Sequence, residues 1–120
     1  MQDKDRAEAA ALEAAEKWLR LIDENEIGES WNRAASMFKN AVTLDEWESS
    51  VAAAQKFIGK PLSRKLKSKR YAAELPGAPD GEYVVIEYET SFENKKNGGE
   101  TVTPMKDTDG QWRVAGYFVK

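Results

Sequence analysis

The chain has 120 residues, 41% of them hydrophobic and 32% charged, and a net charge of -3. That suffices for one domain with its own core and argues against the strongly basic footprint of a dedicated nucleic-acid binder. With no Cys and no His, disulfides, Cys or His zinc sites, Cys nucleophiles and Ser-His-Asp triads are excluded.

No apolar run approaches the roughly 20 residues that span a bilayer. The amino terminus, Met1 to Arg6, leads straight into a charged helix without an apolar secretory segment. Either the protein is cytoplasmic, or a signal peptide has been replaced by the initiator Met. Three helices are expected first. Ala7, Ala11, Ala15, Trp18 and Ile22 recur at helical spacing and predict a helix over 5–24, with Asp5 and Glu8 resembling a capping box and Asn25 as its stop. A second helix is expected over 26–40, with Ile27, Trp31, Ala34, Ala35 and Phe38 as its stripe. The third begins at the capping box Thr43-Leu44-Asp45-Glu46, buries Leu44, Trp47, Val51, Ala54 and Ile58, and stops at Gly59.

Beyond Pro61 the period changes to that of strands. A basic stretch, 62–75, predicts the first strand. The Pro- and Gly-rich turn 75–81 leads into a second over 82–92, with Val84, Ile86, Tyr88 and Phe92 on one face and Tyr83, Glu87 and Glu89 on the other. A loop over 94–99, a third strand over 100–106, an Asp109-Gly110 hairpin turn and a fourth strand over 112–119 complete the chain. The last strand is apolar on both faces, Trp112, Val114 and Phe118 against Ala115, Tyr117 and Val119. A strand of that kind is usually covered on both sides, which points to a homodimer. The fold class is α+β: three amino-terminal helices packed on a curved antiparallel sheet of about four strands.

Trp18-Leu19 with Asp23, Ser30-Trp31, Ala34-Ala35, Trp47 and Gly59 precede Leu-Pro-Gly-Ala-Pro-Asp-Gly-Glu-Tyr at 75–83. Phe92, Glu100-Thr101-Val102-Thr103 and Asp109-Gly110-Gln111-Trp112-Arg113-Val114-Ala115-Gly116-Tyr117 follow. Together these residues resemble the bacterial family catalogued as Domain of Unknown Function 4019, from about Ala9 onward. The resemblance implies a cone like that of nuclear transport factor 2 and a periplasmic or secreted location, and it implies no activity. Two positions depart from the pattern: Asn25 stands where Gly is more typical, and Pro104 interrupts the third strand. Pro cannot donate to a ladder, so Pro104 is expected at an edge or a bulge.

Trp18, Trp31, Trp47 and Trp112, with Tyr83, Tyr88 and Tyr117, are the candidates to line an apolar ligand pocket. Trp18, Trp31 and Trp47 fall on core stripes, so packing explains them as well. Asp23, Glu87 and Glu100 are the carboxylates to inspect for proton transfer or hydrolysis, with Tyr83 or Tyr117 as oxyanion donors, but nothing local predicts the burial such a base needs. Arg64, Lys65, Lys67, Lys69 and Arg70, after Lys60, form a patch for an anion or an acidic partner, or else a solvated edge. No metal and no cofactor is implied. The residues favour a non-catalytic domain that binds a small ligand or a protein partner, with a proton-transfer or hydrolytic enzyme and a pocketless interaction module as the alternatives.

Overall fold

The computed structural model describes residues 3–120. Among them four helices precede four strands: α1 (Asp3–Asp23), α2 (Ile27–Asn32), α3 (Ser36–Ala41), α4 (Leu44–Ile58), β1 (Pro61–Ala72), β2 (Tyr83–Phe92), β3 (Lys95–Lys106) and β4 (Trp112–Val119). The expectation resting on Met1 and Gln2 lies outside the described residues. The strands run antiparallel in the order β1-β2-β3-β4, leaving β1 and β4 as edges. No helix among the described residues is long and apolar enough to cross a membrane.

α1 buries Ala7, Ala11, Ala15, Trp18 and Leu19, close to the expected stripe. It starts two residues earlier than expected, so Asp5 sits in the first turn and opposes the helix dipole instead of capping. Glu8 has a longer-range partner: its carboxylate accepts the backbone N–H of Tyr71 in β1 at 3.2 Å. Asn25 closes the turn after α1 at φ 62°, a conformation Asn tolerates better than most residues.

The single helix expected over 26–40 is two six-residue helices. Ala35 turns extended, with φ -63° and ψ 155°, and its N–H donates to the Val114 carbonyl of β4 at 2.8 Å. Ala34 and Ala35 are fully buried; their small side chains let the main chain close on the sheet. The apolar period continues across the break because both halves face one core, so periodicity saw the burial and missed the interruption. α4 matches its local signals: Glu46 N–H donates to Thr43 Oγ1 at 3.1 Å and Thr43 N–H to Glu46 Oε1 at 2.9 Å. Its buried stripe is narrower than expected, since Ala54 is exposed.

β1 ends at Ala72, short of Leu75. β3 begins at Lys95, so most of the expected loop is paired, with Gly98 opposite Thr90 and Gly99 opposite Glu89. The glycines read as loop residues, but a Cβ on Gly98 would stand 2.8 Å from the Phe92 ring, so the ladder itself demands glycine there. Pro104 sits at a register shift between β3 and β4, where its missing N–H is tolerated.

That shift alters the faces of β4. Residues directly opposite in an antiparallel pair share a face. Pro104 lies opposite Val114 and Val102 opposite Tyr117, which turns Val114 and Tyr117 both toward the helices. Phe118, opposite Thr101, points outward and is 55% exposed. The expected grouping of Trp112 and Val114 with Phe118 therefore fails. The two-sided apolar pattern is a bulge read as alternation, and it gives no support for a covering second copy. Between helices and sheet, Trp18, Phe38, Trp47 and Tyr117 pack edge to face and tilted; Phe38–Trp47 centroids are 5.1 Å apart and Trp18–Tyr117 5.4 Å.

Candidate functional site

Glu100 is the polar centre of the interior. It faces the helices from β3, with Tyr88 opposite it on β2 and Val119 on β4, and its side chain is 1% exposed. Arg64 approaches from β1: Nε donates to Glu100 Oε1 at 2.6 Å and Nη2 to Oε2 at 3.2 Å. Thr90 Oγ1 donates to Oε1 at 2.7 Å and Tyr117 Oη to Oε2 at 2.5 Å. The guanidinium also donates from Nη1 and Nη2 to Asp23 at the end of α1, at 2.8 and 3.1 Å.

Each Glu100 oxygen thus accepts two bonds, which fills the roughly four acceptor positions of a carboxylate. Burial by itself would weaken the Arg64 charge, but the Asp23 and Glu100 carboxylates more than offset that and raise its pKa. Burial, reinforced by the Glu100 charge, pushes the Tyr117 phenol far upward, so it stays a donor. Burial and then the Glu16 charge push Tyr88 up to about 12; its hydroxyl has no partner among the described residues. A general base needs a lone pair turned toward substrate. Glu100 has none to spare, and its geometry is that of a tether joining α1, β1, β2, β3 and β4.

The structure thus brings together Asp23, Glu100 and Tyr117 of the expected carboxylates and donors, draws in Arg64 from the expected basic patch, and adds Thr90. Glu87 lies apart, accepting the Ser68 hydroxyl at 3.2 Å. The aromatic candidates do not ring one cavity. Trp18 donates Nε1 to the Ser30 carbonyl at 2.8 Å, Trp47 to Ser30 Oγ at 2.9 Å, and half-buried Trp31 to the Val42 carbonyl at 2.8 Å. Tyr83 is buried across the strand from Val84, its hydroxyl on the Pro79 carbonyl at 2.6 Å beneath the Pro- and Gly-rich turn. Arg64 leaves the basic patch for the interior. Of the rest, Lys65 and Arg70 lie opposite outward residues of β2 and Lys69 opposite the inward Ile86, so the exposed cations do not share one face.

Open space lies elsewhere. A groove of about 890 Å³ runs between α1, α2 and the β3–β4 turn, with Ala10, Ala14, Leu21 and Trp112 along its apolar lining. Of the expected pocket residues only Trp18 and Trp112 reach it. A smaller groove of about 460 Å³ between the start of α2 and α4 shares Glu26 and Glu29 with the first. The β3–β4 turn beside the larger groove is held by Asp107, which accepts from Ser36 N–H and Oγ at 3.2 and 3.3 Å, Thr108 N–H at 2.9 Å and Arg113 at 3.3 Å. Burial alone would raise the Asp107 pKa; these bonds outweigh it and lower it. Sequence reasoning named Trp18 and Trp112 but not the groove, because Ala10, Ala14 and the β3–β4 turn come beside them only once α1 lies on the sheet. Among the described residues no group of three or more His, Cys, Asp or Glu is placed to hold a metal ion.

Fold and grooves define an α+β domain with a partly apolar surface cleft. The chain belongs to the family described as Protein of unknown function (DUF4019), whose model matches residues 14–117. No curated protein and no solved structure matches it.

Proposed function

We propose that this is a non-catalytic binding domain whose site is the groove between α1, α2 and the β3–β4 turn, built on a cone of the nuclear-transport-factor-2 type and exported, either to the periplasm or as a secreted protein. The observation that carries the reading is the contrast between two places. The interior carboxylate is saturated by four donors, whereas the groove offers open space of ligand-pocket size, with half-buried Ala10, Ala14, Leu21 and Trp112 set among charged side chains. Titration of ¹⁵N-labelled protein with indole, a neutral apolar probe, tests it. Shifts are expected at the amides of Ala14 and Trp112, and Ala14→Trp, which fills the groove, should abolish them. Shifts confined to other surfaces, or none at millimolar indole, would end the reading.

One observation favours a second reading, an enzyme: a Tyr hydroxyl 2.5 Å from a buried carboxylate. Such chemistry requires the Arg64–Glu100 pair to open, so that Glu100 gains a free lone pair for substrate.

A further inference from the structure

The lining of the large groove is polarised. On α1 it draws on Ala10, Glu13, Ala14, Lys17, Trp18 and Leu21, one helical face over about three turns, or roughly 16 Å. The cations along the groove are already neutralised within the chain: Lys17 by Glu13 at 2.9 Å, Arg33 by Glu29 at 2.8 Å and Arg113 by Asp109 at 2.7 Å. Glu26 has no ion-pair partner among the described residues. It stands where the large groove meets the small one, whose lining holds Glu26, Glu29 and Glu48 and no cation. The Glu48 carboxylate projects over Gly28, where a Cβ would stand 3.7 Å from Oε2, and it too has no ion-pair partner among the described residues. A trough floored by Ala10, Ala14, Leu21 and Trp112 and rimmed by paired charges therefore opens into an acidic end.

Two backbone acceptors of the sheet wall are already taken, although β4 is an edge strand. The Val114 carbonyl accepts from Ala35 and the Gln111 carbonyl from Asp107, each at 2.8 Å. An extended peptide adding to this wall would find those acceptors taken. A helix satisfies its own backbone and needs only side-chain contacts.

We infer that the groove receives an amphipathic helix of a protein partner, its apolar stripe along α1 and Trp112 and a Lys- or Arg-bearing end over Glu26 and Glu48. This rests on the binding reading above and names its occupant. Complementary charge at the rim sets orientation and speeds association, and salt screens it.

The test uses the full chain and a display library of 16-residue helical peptides with a fixed Leu stripe and all other positions randomised. Enriched peptides are expected to cluster Lys or Arg at one end and to shift the amides of Ala14, Glu26 and Trp112. Paired Glu26→Lys and Glu48→Lys, both at exposed positions, should weaken them at least about tenfold, and Ala14→Trp should abolish binding in a variant whose circular dichroism is unchanged. Enriched peptides with acidic or uncharged ends, or binding indifferent to the two charge reversals, would overturn the helical basic partner. If no peptide is enriched while indole still shifts the groove, the helix is refuted and the binding reading survives. If indole fails too, both fall. Self-association that Ala14→Trp removes would identify a second copy as the occupant and likewise overturn the proposal.

Discussion

Tyr88 and Tyr117 flank the same carboxylate with their hydroxyls in opposite situations. Tyr117 donates to Glu100, whereas the Tyr88 hydroxyl is buried with no partner among the described residues. Removing an unsatisfied buried hydroxyl recovers its desolvation cost, while removing a donor to a charged group loses a strong bond. Tyr88→Phe is therefore expected to be neutral or up to about 1 kcal/mol more stable, and Tyr117→Phe about 1.5–3 kcal/mol less stable. Urea unfolding of both variants checks this: a neutral or stabilising Tyr117→Phe would show that the Tyr117 bond is not formed, and a destabilising Tyr88→Phe that its hydroxyl is satisfied. Asp23, Glu100 and Tyr117 each stood out in the sequence, but nothing there joined them. Arg64 read as one more cation of a basic strand, because its partner Glu100 is 36 positions away and only pairing across three strands brings them together.

Elements whose ends are set by their own residues were legible, and α4 is the clearest. Its amino-terminal capping box and its stop at Gly59 both involve atoms within a few positions of the helix end. The structure adds a reason for glycine that no local pattern contains. At φ 75°, Gly59 also packs so that a Cβ would lie 2.7 Å from Glu93 Cβ in the β2–β3 turn. That turn is pinned there by Glu93 N–H to the Lys60 carbonyl at 3.0 Å and Asn94 N–H to the Ile58 carbonyl at 2.8 Å. Gly59→Ala is thus expected to cost about 1–3 kcal/mol, more than conformational freedom alone. Pairing it with a Glu93→Gly change in a double-mutant cycle should recover part of the loss; strict additivity would show that the close approach does not matter. The split of the second expected helix is the opposite case, since a hydrogen bond from Ala35 to β4 breaks a segment whose own residues favour continuing.

At the scale of the molecule, the polar tethers bound the pH range of stability. Hydrogen bonds from Arg113 hold Asp109 down to about 2 from an ordinary 3.8. Asp107, Glu29 and Glu46 are lowered as well, Glu29 chiefly by Arg33 and Glu46 by the Thr43 backbone. A lowered carboxylate binds fewer protons folded than unfolded, so its contribution is complete above the ordinary carboxylate range and is lost as pH falls toward about 2. For Tyr88, raised from 10.0 to about 12, the folded form keeps its proton while the unfolded chain loses it. Stability is then complete below pH 10 and falls as pH rises through 12. Urea midpoints should run level between these limbs, and Tyr88→Phe should shrink the alkaline fall. An alkaline limb unchanged in that variant would show that the phenol is not desolvated.

Helix and strand identity, the stops at Asn25 and Gly59, the α4 cap and the family were all readable from the chain, because each rests on side-chain period or on bonds within about four residues. The break before α3, the turning of Tyr117 inward by the Pro104 bulge, the capture of Arg64 by Glu100 and the groove beside Trp112 were decided only on folding. Each depends on groups far apart in sequence whose hydrogen bonds and contacts exist only once the helices lie on the sheet, and there they outweigh the fractions of a kcal/mol by which local preference speaks.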